Sequence, residues 1–488
     1  MPRNAKKTAS WPTPQQVQQH HRRGLDGAPV QAKATPGKGN GLFATIAIEE
    51  GTVLFTDEPL GWQPREGGDG NCTACGRFFG TTGDQLHRLM GGAGEPIDVP
   101  PIPDQPAASA VWKDAETDEA APVCCGMCAQ TVRRSFAAST MLLNQQQQQD
   151  ELMASWSANQ FLLLGAQLVA ALVSSFEAAS SADRAAGVHL LPLAALASPS
   201  WREAAVPDEG VSAAVHRRAI ETELSASLSM LREAYAEPLR RHPELAAVLD
   251  DELWARAVGA CARNSISVQV PHPLVYYISH VDALPPNEPL RSKAQARLAP
   301  GISTLLQAEA EAEEEGEEEE ESDEEEEAEG EEDEDGEEED DDDSEEDSDE
   351  EDEEEEEHFE WSLGGADLKE GGERVLKFSS RLFPPHKGFS VYPRVSLANH
   401  SCEPNCQVAY MENNQALLVS LRDLGPGEEV SISYVSAAVP YAERQAKLRA
   451  RYGFTCICSL CRAEAAEEAQ EAAEQAPSQP TAKRVKRS

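Results

Sequence analysis

The start of the chain lacks the apolar run of a signal peptide. It reads MPRNAKKTASWPTPQQ, which is polar and contains basic residues. Export normally needs an apolar segment, so we expect this protein inside the cell. In that reducing environment, its 11 cysteines are better explained as thiols or metal ligands than as disulfides.

Basic residues are missing from one long stretch, residues 309–357, here called the acidic segment. It has 40 acidic residues in 49 positions and no Lys or Arg. Such a segment repels itself and has little apolar surface to bury, so we expect it to be solvated and disordered. The rest of the chain has 47 acidic and 41 basic residues, an ordinary balance. The acidic segment opposes direct binding to nucleic acid and favours basic protein partners such as histones.

Charged residues are also missing from residues 152–176. The length alone would allow a membrane span. However, Asn159, Gln160 and Gln167 interrupt the segment, which favours a buried helix. We therefore expect no membrane association.

Helical and extended patterns alternate along the chain. Glycine turns separate short β-rich runs over 38–60, and strand patterns return over 375–434. Between them, an alanine- and leucine-rich region predicts helices. One packing face at helical spacing consists of Ile220, Leu224, Leu228, Leu231 and Tyr235.

The cysteines near the end of the chain have metal-ligand spacing. Cys456, Cys458 and Cys461 form C-x-C-x-x-C, which supplies three corners of a tetrahedral zinc site. The fourth corner must come from elsewhere, and Cys402 in the segment NHSCEPNC (399–406) is the natural candidate. This ligand set predicts that the 399–406 segment lies against the C-terminal loop.

Four motifs in order give the sequence a resemblance to the SET-domain protein lysine methyltransferases. They are KGNGLFA at 38–44, NHSCEPNC at 399–406, GEEVSISY at 427–434 and the terminal C-x-C-x-x-C. The resemblance covers residues 30–65 and 259–462, apart from the acidic segment. It implies an α+β fold with small β-sheets, a knotted β-clip core and a zinc cluster after the SET domain.

Within this family, the sequence resembles the SET-and-MYND subfamily. There, a cysteine-rich insertion and a helical insertion interrupt the SET region. A MYND module normally binds two zinc ions through seven cysteines and one histidine, whereas this chain has fewer ligands. We predict one four-thiolate zinc site made by Cys72, Cys75, Cys125 and Cys128. An incidental, degenerate cluster is the alternative.

The resemblance divides the chain into nine predicted segments. These are a disordered N-terminus (1–30), the N-terminal SET part (31–63), a degenerate MYND-like insertion (64–135), a helical insertion (136–258), a SET core strand and loop (259–308), the disordered acidic segment (309–357), the C-terminal SET part (358–440), the post-SET zinc cluster (441–462) and a disordered basic tail (463–488).

The implied reaction is methyl transfer from S-adenosylmethionine to a lysine amine, with zinc in structural roles only. The resemblance assigns Tyr434 as the catalytic tyrosine, and Tyr452 and Phe454 as walls of the lysine channel. The cofactor-contacting positions are Lys38, Gly39, Asn40, Asn264, Ser396, Asn399, His400 and Phe454.

Two readings of the function follow. One is an active enzyme, a monomer that methylates histones or other proteins. The other is a non-catalytic SET scaffold that holds basic proteins through the acidic segment. A Ser-His hydrolase using His386 or His400 is disfavoured because no Gly-x-Ser-x-Gly motif is present. The basic cluster KRVKR at 483–487 is typical of nuclear import, so we expect the protein in nucleus and cytoplasm.

Overall fold

The structure is a computed structural model. It describes residues 11–65, 70–92, 97–102, 109–111, 122–149, 156–206, 211–329, 357–363 and 374–475. The first ten residues, much of the acidic segment and the basic cluster at 483–487 lie outside these described residues.

The described residues form twelve strands and fifteen α-helices. The strands are β1 (Val30–Thr35), β2 (Gly39–Ala44), β3 (Val53–Asp57), β4 (Gly61–Pro64), β5 (Ser265–Val270), β6 (His358–Leu363), β7 (Arg374–Ser379), β8 (His386–Val391), β9 (Asn399–His400), β10 (Cys406–Tyr410), β11 (Ala416–Ser420) and β12 (Glu429–Ile432). The helices are α1 (Pro14–Gly24), α2 (Thr82–Leu89), α3 (Gly126–Gln149), α4 (Trp156–Ala178), α5 (Ser181–Ala185), α6 (Leu191–Ala194), α7 (Trp201–Ala204), α8 (Ala213–Ala234), α9 (Ala236–Arg241), α10 (Pro243–Val248), α11 (Asp251–Asn264), α12 (Pro273–Ala283), α13 (Pro289–Glu329), α14 (Tyr441–Lys447) and α15 (Ser459–Gln475).

The strands form three small sheets and one hairpin. Their orders are β1-β2-β12-β9, β10-β11-β3 and β4-β8-β5, with β6-β7 as the hairpin. Strand β12 lies between two distant parts of the chain: it pairs antiparallel with β2 and parallel with β9, where Ser431 faces Asn399. The KGNGLFA segment and the NHSCEPNC segment therefore meet at one strand. This combination of small sheets and helices confirms the predicted α+β class.

Helices α3, α4, α8 and α11 pack together as a helical layer. The predicted packing face of α8 is buried from Ile220 to Tyr235. Trp254 of α11 is fully buried, and its indole N–H donates to the Ser227 hydroxyl at 2.9 Å. This bond satisfies a polar group that burial would otherwise leave costly.

Helix α4 is the one described helix long and apolar enough to cross a membrane, over Gln160–Ala178. However, 61% of this window is buried inside the fold, as in the core helix of a packed domain. The Gln167 side chain joins β4 by accepting from Trp62 N and donating to Trp62 O, both at 2.8 Å. The helix thus packs against a sheet.

A separate apolar cluster is formed by α2, α12, α13 and the β6-β7 hairpin. It buries Tyr277, Ile302 and Trp361, and the Trp361 indole donates to Asp282 Oδ1 at 2.8 Å. Because α13 precedes the acidic segment and β6 follows it, this cluster holds the two sides of the insertion together. An insertion whose ends are already close is tolerated at modest entropic cost.

Three segments predicted to be disordered contain helix. Residues 14–24 form α1, because Thr13 makes a capping box with Gln16 and Pro14 occupies the first turn. Helix α13 runs through Glu329, so it enters the acidic segment, and α15 enters the tail as far as Gln475. Glu and Ala have high helix propensity, and both helices begin in packed regions that nucleate them.

Candidate functional site

The four cysteines near the end of the chain come together as expected. The sulfur atoms of Cys402, Cys456, Cys458 and Cys461, here called the C-terminal cysteine cluster, all lie within 4.8 Å of one another. The Cys402 and Cys461 sulfurs are 3.5 Å apart. Tetrahedral zinc with Zn–S bonds of about 2.3 Å needs sulfur separations of roughly 3.8 Å. The group therefore fits a structural zinc ion.

Helix α14 supports this cluster through a residue that the sequence analysis missed. The buried Gln445 amide donates to Cys456 O at 3.1 Å and to Cys461 Sγ at 3.2 Å, while its Oε1 accepts from Cys456 N at 3.0 Å. Fully satisfied buried amides fix one geometry. Gln445 thus orients the loop that carries the terminal ligands.

A second group of four, the N-terminal cysteine cluster, corrects one predicted ligand. Its members are Cys72, Cys75, Cys124 and Cys128, so Cys124 takes the position that we predicted for Cys125. The Cys124 sulfur is 3.6 Å from both Cys75 Sγ and Cys128 Sγ. These separations also fit tetrahedral zinc.

The start of helix α3 explains the correction. Cys128 lies in the first turn of this helix, which begins at Gly126. Cys125 stands directly before the helix, where its carbonyl accepts from Ala129 N at 3.0 Å, and the sulfur that converges with Cys128 is that of Cys124. The backbone N–H of Cys124 also donates to Cys72 Sγ at 3.4 Å.

The N-terminal cysteine cluster is joined to the sheets by Asn414, at the turn between β10 and β11. Asn414 N donates to Cys75 O at 2.8 Å, and its side chain donates to Ala74 O at 3.2 Å. On the other side, the buried Tyr392 hydroxyl donates to Asn414 O at 2.6 Å. Tyr392 directly precedes the segment that leads to β9.

His400 connects β9 with β12 and with the C-terminal cysteine cluster. Its Nδ1 accepts from Tyr434 N at 3.0 Å, and its Nε2 lies 3.3 Å from Cys402 Sγ. Burial, followed by the charges of Lys38 and Arg444, lowers the pKa of His400 to about 4. A neutral ring that accepts at Nδ1 carries its proton on Nε2, so it donates towards the Cys402 sulfur.

Tyr434 and Phe454 lie beside His400, and Tyr452 packs against both of them; these three residues are here called the aromatic group. The Tyr434 and Tyr452 ring centres are 4.8 Å apart, and Phe454 lies 5.9 Å from His400. All three side chains are partly exposed, so their faces remain accessible to a ligand. The Tyr434 hydroxyl donates to Ala398 O at 2.7 Å, and burial raises its pKa above the usual range.

Glu429 links two of the predicted cofactor positions and was not singled out from the sequence. Its carboxylate accepts from Asn399 Nδ2 at 2.7 Å and lies 3.6 Å from the Lys38 ammonium. A Cβ on Gly41 would lie 2.7 Å from Asn399 Nδ2, so glycine permits this approach of β2 to β9. Gly39 has φ +79°, which only glycine adopts readily, and Asn40 follows it in β2.

Asn264 and Ser396 are held by their own surroundings. Asn264 Nδ2 donates to Ala197 O at 2.8 Å and Ala260 O at 2.7 Å, and Ser396 Oγ donates to Tyr392 O at 2.5 Å. Neighbouring contacts from Arg263 to Ala450 O and from Arg451 to Ser265 Oγ, both 3.4 Å, bring the end of α11 beside the Tyr452 turn. No described side-chain hydrogen bond joins Asn264 or Ser396 to Asn399.

The turn before β9 is anchored to β3 by a buried carboxylate. Asp57 is 1% exposed and accepts from Arg394 N, Arg394 Nε and Val395 N at 2.7–2.9 Å. Burial raises the pKa of Asp57, although these donors act against that rise. A buried ionised group is tolerated only when it is paired in this way.

A family comparison agrees with this architecture. Residues 302–435, which contain β9, β12 and Tyr434, match the model of the SET domain. Strands β2 and β3 precede the matched interval but pair with strands inside it. The chain therefore contains a region, residues 302–435, that is similar to the SET domain.

Curated relatives make the class more specific. Histone-lysine N-methyltransferase ATXR2 of Arabidopsis thaliana is 45% identical over 78 residues, 15% of this chain and 16% of the relative. Histone-lysine N-methyltransferase SMYD3 of Homo sapiens is 39% identical over 77 residues, 16% of this chain and 18% of the relative. N-lysine methyltransferase SMYD2 of Homo sapiens is 41% identical over 76 residues, 16% of this chain and 17% of the relative.

With its cysteine-rich and helical insertions, the chain resembles the SET-and-MYND proteins. The matched segments nevertheless span less than a fifth of each of these three relatives.

Proposed function

We propose that this protein is a protein-lysine N-methyltransferase that uses S-adenosylmethionine as its methyl donor. The observation that carries the proposal is the aromatic group, which lies beside His400 and the C-terminal cysteine cluster, with His400 and Tyr434 inside the interval that matches the SET domain. The names of the similar proteins, several of them lysine methyltransferases, support the reaction class.

The cofactor would lie against the strands that meet at β12. Lys38, Asn40, Asn264, Asn399 and His400 would contact it through side chains, together with the backbone of Gly39 and Ser396 and the ring of Phe454. When bound, S-adenosylmethionine supplies an electrophilic methyl group on a sulfonium centre. Glu429 would fix the Lys38 ammonium and the Asn399 amide before the cofactor arrives.

The aromatic group would receive the lysine side chain. A free lysine has a pKa of about 10.4, so only about one molecule in 10³ to 10⁴ is neutral at pH 7. Enclosure by Tyr434, Tyr452 and Phe454 removes water from the amine and lowers its pKa, which increases the fraction that can attack. Aromatic faces also favour a methylated ammonium product.

Tyr434 would orient the amine rather than take its proton. Burial keeps its pKa high, so the hydroxyl remains neutral at pH 7. The hydroxyl hydrogen is committed to Ala398 O, which leaves the oxygen lone pairs free to accept from the incoming amine. In-line transfer depends chiefly on such alignment.

The two cysteine clusters would hold structural zinc ions, and neither takes part in the transfer. The substrates would be proteins with accessible lysines, including histones, which the acidic segment would attract. We infer a monomer present in nucleus and cytoplasm. A non-catalytic scaffold that only retains basic proteins is the competing function, and the acidic composition of residues 309–357 supports it.

Radiolabelled methyl transfer from S-adenosylmethionine onto histones and cell extract tests the proposal. We expect incorporation by the wild type and a loss of about 100-fold in Tyr434→Phe, which removes one preorganised hydroxyl. Tyr235→Phe, in the helical layer, is the matched control and should retain activity. Cofactor binding without transfer to any protein would favour the scaffold.

A further inference from the structure

A cavity lies between the cysteine-rich insertion and the SET core, separate from the aromatic group. Its volume is about 250 Å³, and its walls come from residues before and within α2, the turn before α12 and the loop before β8. The residues that matter for its chemistry are Phe78, Gln85, Arg88, Leu89, His272 and Pro385. The volume is somewhat below the roughly 300–1,000 Å³ typical of sites for drug-sized ligands, which suits a small molecule or one peptide end.

The cavity has a positive bias. Arg88 lines it, and none of the described lining residues is acidic. Arg88 Nη1 donates to Phe79 O at 2.8 Å and to Gln85 Oε1 at 3.0 Å, so the guanidinium is oriented by the protein. Asp84 is outside the lining: its carboxylate accepts from the Thr81 N–H and hydroxyl at 2.7 and 2.8 Å, and the nearby Arg88 charge also helps to lower its pKa, so Asp84 offsets part of the arginine's charge.

Gln85 adds an unused donor. The side chain is 2% exposed, and its Oε1 accepts from Arg88. Its Nε2 has no hydrogen-bond partner among the described residues. Buried donors without a partner are rare, so this amide indicates an acceptor that enters from the cavity.

His272 supplies a third donor. It is 3% exposed, and its Nδ1 accepts from Leu274 N at 3.2 Å as the N-cap of α12. Burial, followed by the charge of Arg88, lowers the pKa of His272 to about 3, so the neutral ring carries its proton on Nε2. The ring of Phe78 lies 4.6 Å away and forms an apolar wall.

We propose that this cavity binds a carboxylate, with Arg88 supplying the charge, Gln85 and His272 supplying hydrogen bonds, and Phe78, Leu89 and Pro385 contacting the apolar part of the ligand. The carboxylate would belong either to a free small acid or to the C-terminus of a peptide. The proposal is independent of the methyl-transfer function, because no residue of the aromatic group takes part.

Calorimetric titration of the full chain separates the two sources. One arm uses phenylacetate against neutral phenylacetamide, and the other uses N-acetyl-Ala-Ala-Phe with a free C-terminus against its amide. We expect at least one acid to bind, with an affinity at least about 10-fold above that of its amide. Arg88→Gln should weaken it by about 10- to 100-fold, and Gln85→Leu by about 3- to 10-fold.

The matched control is Arg134→Gln, which removes an arginine of α3 that does not line the cavity. It should leave the affinity unchanged. The proposal is overturned if neither acid binds, if acid and amide bind equally, or if folded Arg88→Gln retains wild-type affinity. If thermal melting shows that Arg88→Gln is unfolded, the response of Gln85→Leu decides the outcome.

Discussion

The two cysteine clusters have the same ligands but different surroundings. In the C-terminal cysteine cluster three of the four cysteines are buried, whereas in the N-terminal cysteine cluster only Cys72 is buried. The first directly contacts His400 and packs with Tyr434, Tyr452 and Phe454. The second is joined to the sheets by the turn at Asn414 and by an ion pair between Arg77 and Glu412 at 3.2 Å.

We therefore expect the C-terminal cysteine cluster to determine the shape of the proposed pocket, and the N-terminal cysteine cluster to stabilise the fold at a distance from it. Cys402 and Cys461 are 59 positions apart, so closing the C-terminal cysteine cluster fixes a long segment and positions Tyr452 and Phe454 within it. The N-terminal cysteine cluster closes 49 positions between Cys75 and Cys124 but leaves the aromatic group untouched. Although both clusters consist of four cysteines, we therefore expect the loss of zinc from each to have a different effect on methyl transfer.

The largest effect is expected from Cys456→Ser. Losing one thiolate from the C-terminal cysteine cluster should release its zinc and displace Phe454, two positions away. A displacement of about 1 Å in a reactive constellation costs roughly 100-fold in rate, so methyl transfer should fall at least that much. Zinc analysis and radiolabelled transfer measure the two losses together.

Cys406→Ala is the control for that variant, because Cys406 is a buried thiol of β10 outside both clusters. It should retain both zinc ions and most of the activity. Full activity in Cys456→Ser after demonstrated zinc loss would contradict the idea that this cluster shapes the pocket.

A smaller effect is expected from Cys124→Ser. Zinc content should fall from two ions to one per chain. Methyl-transfer activity should decrease less than 10-fold, because the residues displaced by the loss of this zinc are remote from the aromatic group. A chelator should also remove zinc from the N-terminal cysteine cluster first, because three of its cysteines are partly exposed. Zinc release followed with a colorimetric indicator gives both answers.

Cys125→Ser is the neighbouring control and should keep two zinc ions. The reverse pattern, with Cys125→Ser losing zinc and Cys124→Ser keeping it, would restore the ligand predicted from the spacing. Two zinc ions in both variants would mean that neither thiol is required.

Sequence spacing predicted one cluster fully and the other incompletely. C-x-C-x-x-C leaves one corner of a tetrahedron vacant, and Cys402 in its polar segment was the natural partner. For the N-terminal cysteine cluster, C-x-x-C symmetry favoured Cys125, because the start of α3 at Gly126 was not foreseen. A helix start changes which of two adjacent cysteines faces the other ligands.

Two residues that orient other site residues could not be recognised from the sequence. Gln445 and Glu429 look like ordinary helix and turn residues, and only the fold brings them to Cys456 and Asn399. The helix α1 was predictable, since Thr13, Pro14 and Gln16 form a recognisable start signal. The acidic composition, by contrast, led us to predict disorder where helix α13 continues from a packed cluster into the acidic segment.

Asn414→Ala tests the connection between the N-terminal cysteine cluster and the sheets. It removes the side-chain bond to Ala74 O and leaves that carbonyl without this donor, so unfolding free energy should fall by about 1–3 kcal/mol. Met411→Ala, an exposed change in the same turn, should have little effect. Chemical denaturation measures both, and an unchanged midpoint for Asn414→Ala would remove the bracing role of this bond.

An effect that is absent at neutral pH, a pH dependence, distinguishes the clusters from the region around helix α4. His189 is buried, stacks edge-on against Phe176 at 4.9 Å, and has no hydrogen-bond partner for either ring nitrogen among the described residues. Burial, followed by the charge of Arg184, lowers the pKa of His189 from 6.5 to about 4. Below pH 6.5 the unfolded chain binds a proton at this histidine and the folded chain does not. The free energy of unfolding should therefore decline by at most about 1.4 kcal/mol per pH unit until pH 4, and stay constant above pH 6.5.

His189→Phe should flatten this part of the stability profile. Zinc release in acid, which is governed by protonation of the cluster thiolates, should remain at the same pH. Identical profiles for variant and wild type would exclude His189 as a source of acid sensitivity, and a shifted zinc release would show that the region around helix α4 and the clusters are coupled.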